Sequence, residues 1–157
     1  MSVAFVKEPN EDQVEALPER DLGTDPNFVT PRGLALLDDA IARDSAAVER
    51  ARAAGDKIAV AMLHRDLRYW RARRSTAEVV EPQADSETVQ FGHAVSIRRR
   101  NGKVQTYRIV GIDEADPAEG LISYLSPLAR QLVGKEEGET VGIAGAEAEI
   151  VAFAMAD

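Results

Sequence analysis

Between Thr30 and Ala77 the apolar positions fall into two heptad seams. In the first, Leu34, Leu37, Ile41, Val48 and Ala51 are separated by steps of 3, 4, 7 and 3, with Asp44 interrupting one core position. In the second, Val60, Leu63, Leu67, Trp70, Arg74 and Ala77 follow at steps of 3, 4, 3, 4 and 3. Thr30 suits a helix N-cap and Pro31 the first helical position. Gly55-Asp56 separates the seams. Two seams of similar length across a glycine-containing turn predict an antiparallel helical hairpin. Each arm is about 20 to 25 residues, or roughly 30 to 37 Å at helical rise.

From Phe91 the period changes to two. Val95 and Ile97 alternate with Ser96 and Arg98, Asn101-Gly102 signals a hairpin turn, and Tyr107 and Ile109 alternate on the return strand. A two-residue loop would pair Ile97 with Thr106 and mismatch the apolar faces. A three-residue loop, Arg100-Asn101-Gly102, pairs Ile97 with Gln105 and Val95 with Tyr107. It sets Val95, Ile97, Tyr107 and Ile109 on one face and asks Gly102 to be left-handed. Leu121–Leu125 reads as a third strand. Ser126-Pro127 caps a short helix, Leu128–Val133, that Gly134 ends. Thr140–Ile143 and Ala148–Phe153 read as the last strands. The second half is therefore a small, mostly antiparallel α+β domain.

The segments around these elements are polar. Residues 1–29 carry three prolines and no apolar period, and read as an acidic, loosely attached tail in which Val3, Phe5 and Val6 alternate weakly. Residues 30–80 form the hairpin, 81–90 an acidic linker, and 91–157 the α+β domain. The net charge of −8 divides into −5 over 1–29, +3 over 30–80 and −6 over 81–157. Such a balance argues against general nucleic-acid binding by bulk electrostatics. The basic excess concentrates on the second arm, where Arg65, Arg68, Arg71, Arg73 and Arg74 form either a solvated face or a face drawn to an acidic surface.

Several chemistries find no support. There are no cysteines, so disulfides and thiolate chemistry are excluded. The longest apolar runs, Ile58–Leu63 with six residues and Ile150–Ala156 with seven, are far short of the roughly 20 that a membrane span needs. The N-terminus lacks the pattern of a secretory signal, which points to a cytoplasmic protein. His64 and His93 lack metal-ligand spacing and read as structural. Gly134-Lys135 continues with Glu136, so it is not a phosphate loop. Asp113-Glu114-Ala115-Asp116 reads as a solubilising turn, a polar contact surface, or a carboxylate set for a hard cation. No catalytic residue, metal site or cofactor site is expected.

Two stretches are distinctive. Tyr107-Arg108-Ile109-Val110-Gly111-Ile112-Asp113-Glu114-Ala115-Asp116, and Ile122 to Val141 around Ser126-Pro127-Leu128-Ala129, resemble the C-terminal domain of the bacterial transcript cleavage factors GreA and GreB. Thr30-Pro31-Arg32-Gly33-Leu34, the hairpin and Ala77-Glu78-Val79-Val80 resemble that family's coiled coil. The resemblance implies an antiparallel coiled coil plus an FKBP-like C-terminal domain, with RNA polymerase as partner. The globular domain would grip the rim of the secondary channel and the coiled coil would enter it. Acids at the tip would help hold a catalytic magnesium that belongs to the polymerase. Ser126, Pro127, Leu128 and Ala129 match the polymerase-contact segment, with Asp113, Glu114 and Asp116 beside it. Arg65, Arg68 and Arg71 would face the channel wall.

The sequence departs from the family at the tip. The family pattern is Gly-Asp-x-x-Glu-Asn, whereas Gly55-Asp56 is followed by Lys57, Ile58, Ala59 and Val60. The second acid is missing, and Asp56 remains as a tip carboxylate or as a plain helix cap. Each arm also falls about eight residues short of the family's, or roughly 12 Å. Both changes imply little or no cleavage stimulation, and they resemble the regulator of nucleoside diphosphate kinase, a polymerase-binding relative. The expectation is a monomeric regulator that binds RNA polymerase, without a membrane or a specific nucleic-acid sequence as partner. Cleavage stimulation through Asp56 is the alternative. A prolyl isomerase is disfavoured because the domain's only aromatics are Phe91, Tyr107, Tyr124 and Phe153, and most of them are needed for its core.

Overall fold

The computed structural model describes residues 17–156, so Val3, Phe5 and Val6 lie outside the described residues. The fold is α+β, with two long helices and a five-stranded sheet. Two compact units are present among the described residues: 17–25 with 37–76, and 26–36 with 77–156.

The helical unit is built from α1 (Pro31–Ala53) and α2 (Lys57–Thr76). Leu37, Ala40, Val48, Ala51 and Leu67 are its buried apolar residues. Asp44, the interruption in the first seam, is only 7% exposed yet fully answered. Its Oδ2 accepts the Trp70 indole N–H at 3.0 Å and its Oδ1 accepts Arg43 Nε at 3.0 Å. A buried carboxylate needs such partners, because desolvation otherwise costs more than packing returns. The turn between the arms is a Schellman cap: Asp56 N–H donates to Ala51 O at 2.9 Å, Gly55 N–H to Arg52 O at 3.0 Å, and Gly55 has φ +69°.

Tyr69 and Arg73 on α2 are buried although neither lies on the seam. Their cover is the chain itself. The Arg20 guanidinium lies 3.8 Å above the centroid of the Tyr69 ring, and Arg73 Nη1 donates to Leu22 O at 3.2 Å. Residues 17–25, expected as the end of a loose tail, thus lie against α2. Charged and aromatic partners hold them there, which a search for apolar periodicity does not detect.

In the second unit, β3 (His93–Arg99), β4 (Val104–Val110), β5 (Leu121–Ser123), β6 (Thr140–Ile143) and β7 (Ala146–Met155) form one sheet in the order β5-β4-β3-β7-β6. The β3–β4 register pairs Val95 with Tyr107 and Ile97 with Gln105, as the three-residue loop requires, and Gly102 has φ +82°. β5 runs parallel to β4, and the remaining pairs are antiparallel. A bulge in the β3–β7 ladder matches Ser96 with Ala152 but Ile97 with Ile150, leaving Val151 as the extra residue. The inward parity of β7 therefore switches from Ala148 and Ile150 to Phe153.

The core comprises Val89, Val95, Ile97, Ile109, Ile122, Ala129, Leu132, Val141, Ala148 and Ile150. Val89 belongs to the stretch expected as a linker. That stretch is instead tied down at its end, where Val89 N–H donates to Lys135 O at 2.8 Å and Val89 O accepts Gly134 N–H at 2.9 Å. The short helix α3 (Pro127–Leu132) buries Ala129 and Leu132. Its Gln131 side chain both donates to and accepts from Gly142 on the edge strand β6, at 2.9 Å each. That clip occupies one backbone position of an otherwise open edge.

A second, two-stranded parallel sheet joins β1 (Phe28–Val29) to β2 (Glu78–Val79). Gly111 is required beside it, since a Cβ there would stand 2.6 Å from Phe28 O. No helix among the described residues is long and apolar enough to cross a membrane.

His93 is buried against Phe153, with ring centroids 5.1 Å apart, and its Nδ1 accepts Gln90 N–H at 2.8 Å. Burial holds its pKa below the ordinary histidine value. The unfolded chain then takes up a proton near pH ~6.5 that the native chain refuses. Stability from this residue is complete above that pH and is lost as the pH falls toward the lower native value. Chemical denaturation of the wild type should show a slope of up to about 1.4 kcal/mol per pH unit in this window. His93→Gln should remove it.

Candidate functional site

Three groups of residues were singled out by sequence: the hairpin tip, the basic face of α2, and the corner and acidic turn of the sheet domain. At the tip, Asp56 is exposed and its Oδ1 accepts the Ala59 N–H at 3.0 Å. It is the N-cap of α2, the plainer of its two expected roles. Lys57 follows it. Two large apolar side chains nearby are exposed, Ile58 at 52% and Met62 at 44%. Across the turn, Arg52 Nη2 lies 3.2 Å from His64 Nε2, and Arg52 Nη1 bonds Glu49 at 3.0 Å. Among the described residues, no group of three or more acidic, histidine or cysteine side chains converges to hold a metal.

The basic residues of α2 have different environments. Arg65 lies along Asp66, with Nη2 at 3.3 Å from Oδ1. Arg68 grips Glu19, with Nε at 3.0 Å from each carboxylate oxygen and Nη2 at 2.6 Å from Oε1. The bond from Arg68 holds the Glu19 carboxyl below its ordinary pKa, and the same bond raises that of Arg68. Arg71 is exposed. Arg74 donates to Asp38 on α1 at 2.7 Å.

In the sheet domain, the Ser126 Oγ accepts the Ala129 N–H at 3.2 Å and so caps α3. Pro127 is exposed and Leu128 half-buried, whereas Ala129 is fully buried in the core. Ser126, like Leu128, is half-buried, so Ser126, Pro127 and Leu128 are the members of this corner with accessible surface. Asp113 is half-buried. Asp116 is exposed, and its backbone pairs with Leu121 at 2.8 and 3.0 Å.

Glu114 departs from its expected place on a contact surface. Its side chain is 1% exposed and its carboxylate is used within the fold. Oε2 accepts the Thr30 hydroxyl at 2.6 Å, and Oε1 accepts Arg32 Nη1 at 3.0 Å. The Thr30 Oγ1 in turn accepts the Gly33 N–H at 2.9 Å, completing the N-cap of α1. A Cβ on Gly33 would stand 2.8 Å from Glu114 Oε2, so glycine makes room for the carboxylate. The negative charge also sits where a helix N-terminus favours one.

The aromatic side chains of the domain do not line a pocket for an isomerase. Phe28, Phe91 and Tyr124 pack on one another with centroids 5.5 to 6.3 Å apart, and the Tyr124 hydroxyl donates to Pro26 O. The nearby cleft is lined by Thr30, Arg32, Pro82, Arg108 and Met155, with no aromatic ring among its walls. Sequence reasoning missed Glu19, Arg20 and Asp66 as a set. The available signal was Tyr69, a large ring one position off the seam that needed some cover.

Comparison with known proteins places these residues in context. Residues 83–153 match the family described as "Transcription elongation factor, GreA/GreB, C-term". Transcription elongation factor GreB of Neisseria meningitidis is 43% identical over 81 residues, covering 50% of each chain. Transcription elongation factor GreA of Acidiphilium cryptum is 48% identical over 71 residues, covering 44% of this chain and 45% of the relative. The chain thus spans about half the length of the curated relatives it matches. A GreA/GreB structure from Nitrosomonas europaea superposes with a TM-score of 0.39 at 20% identity, over 82% of this chain and 98% of that one.

The buried Glu114 network makes a definite claim on stability. Glu114→Ala strands the Thr30 hydroxyl and removes the carboxylate from Arg32. It should lower the unfolding free energy by about 2 to 3 kcal/mol, the cost of losing buried hydrogen bonds to a charged group. Asp116→Ala, at an exposed position, should change it by no more than about 0.5 kcal/mol. Urea denaturation of both variants measures the contrast.

Proposed function

We propose that the protein is a Gre-like regulator of transcription elongation, a reading supported by the match of residues 83–153 to the GreA/GreB family and by the similar GreB and GreA relatives. In this reading it binds RNA polymerase at the secondary channel, as a monomer in the cytoplasm, and adds little or no transcript cleavage. The protein is a binding factor and not an enzyme. Any cleavage is the polymerase's own chemistry, and the chain needs no cofactor.

The observation that carries the reading is the composition of the hairpin tip. To position a polymerase-bound magnesium and its water, a tip must present carboxylates at the right depth, and misplacement by about 1 Å already costs much of such an effect. Here the tip has one acid, Asp56, and one of its oxygens is engaged by the Ala59 N–H. Lys57 stands next to it, and Ile58 and Met62 present hydrocarbon instead of charge. The arms of 23 and 20 residues span about 30 to 35 Å at helical rise. This is the short prong that the family resemblance marks as a departure.

For the gripping surface, Pro127 and Leu128 are the contact residues and Ser126 sets their geometry through its cap. Asp113 and Asp116 supply neighbouring charge. Ala129 acts from inside the core, and Glu114 is omitted because its carboxylate serves the fold. Arg71 is the most available basic residue for a channel wall.

Stalled, backtracked elongation complexes test the non-cleaving reading. The wild-type protein should leave cleavage within about twofold of polymerase alone, and Asp56→Ala should behave the same. Robust transcript shortening that vanishes in Asp56→Ala would establish the cleavage alternative.

Capture on core polymerase tests the surface. Pro127→Asp keeps a residue compatible with a helix N-terminus and should weaken binding about tenfold, as expected for a central contact. Equal capture of both proteins would move the contact surface elsewhere.

A further inference from the structure

Five side chains of α2, Asp66, Arg68, Tyr69, Trp70 and Arg73, meet one short stretch of the same chain. Arg68 holds the Glu19 carboxylate through three contacts of 2.6 to 3.0 Å. The Arg20 guanidinium sits 3.8 Å from the Tyr69 ring centroid and 4.9 Å from that of Trp70, and its Nη1 is 3.5 Å from Asp66 Oδ1. Arg73 Nη1 donates to Leu22 O at 3.2 Å. Asp21 Oδ1 accepts the Gly23 N–H at 2.8 Å, turning the chain away after Leu22.

The face therefore reads three groups in order: a carboxylate, a guanidinium and a main-chain carbonyl. Polypeptide chemistry satisfies all three. A polyanion such as a nucleic-acid backbone would suit Arg68 and Arg73. It would also meet the Asp66 carboxylate and two ring faces whose quadrupole favours a cation. Tyr69 at 8% and Arg73 at 3% exposure owe their cover to this segment and not to the coiled-coil seam. Surface ion pairs of this kind are individually weak. A tethered segment holds them through an effective concentration on the order of millimolar. That combination gives a contact that is occupied at rest and open to exchange.

We propose that this face of α2 is a docking site for an extended peptide bearing adjacent glutamate and arginine. In this chain its own Glu19–Leu22 fills the site, and a partner protein segment with the same order of charges displaces it. The proposal does not require that polymerase be the partner.

Trp70 is the only tryptophan, so its indole N–H gives one resonance that reports on the site in the full-length protein. Combining Glu19→Ala with Arg20→Ala should shift that resonance, while Arg20→Lys, which keeps the cation, should leave it near the wild-type position. A synthetic peptide of residues 17–25, added at millimolar concentration, should return the double variant's resonance toward the wild-type position in a saturable way. The peptide with Glu19 and Arg20 exchanged should bind at least about fivefold more weakly. No shift in the double variant, no response to the peptide, or equal response to the exchanged peptide would overturn the proposal. Displacement of the wild-type segment by a single-stranded oligonucleotide would also overturn it, by assigning the face to nucleic acid.

Discussion

A single buried carboxylate organises the start of the long hairpin arm. Glu114 lies in an acidic run where solvent would be its ordinary surroundings, yet its two oxygens are taken by Thr30 and Arg32. A charge removed from water must be matched atom for atom, or burial becomes a penalty. Here the match consists of a hydroxyl, a guanidinium and the favourable end of a helix. Its demands reach a neighbouring position. Gly33 must lack a side chain to admit Oε2. The first turn of α1 is thereby part of the same compact unit as the sheet, although it is the beginning of a coiled-coil helix.

The helical unit solves a related problem with different groups. Asp44 breaks a heptad seam, and a carboxylate in that position would weaken a coiled coil. The Trp70 indole and Arg43 convert it into a specific cross-link between the arms. Trp70 thus has two functions. Its N–H answers Asp44, and its ring, together with Tyr69, lies beneath Arg20. An aromatic pair with one polar edge suits a position between a seam and a covered outer face.

What could be read from sequence was local, and what could not was long-range. The three-residue loop and the β3–β4 register followed from which face each apolar residue must share, a constraint contained in about ten residues. The caps at Thr30 and Ser126 were equally local. Glu114 was misplaced because its partners lie more than 80 positions away, as the 84-residue separation from Thr30 shows. No pattern inside Asp-Glu-Ala-Asp distinguishes the second acid from the first. The polar residues around Val89 read as a linker, whereas its backbone partners, Gly134 and Lys135, come from just beyond α3. The β7 bulge was hidden for another reason. A run such as Ala-Glu-Ala-Glu-Ile-Val-Ala-Phe-Ala-Met tolerates either parity, and only the ladder with β3 decides where it changes.

The tip shows why family likeness and local chemistry have to be weighed separately. The resemblance is carried by the sheet domain, since that is where the matched residues lie. It does not transfer to the end of the hairpin, where the chain has its own composition. A carboxylate that caps a helix, a lysine beside it and two exposed hydrocarbon side chains cannot supply the field that a paired acid would. Docking and chemistry thus become separable properties of one chain. On the proposed reading, the corner at Pro127 would grip while the tip at Asp56 only filled space, and such a factor would act by excluding others from the channel and not by catalysis within it.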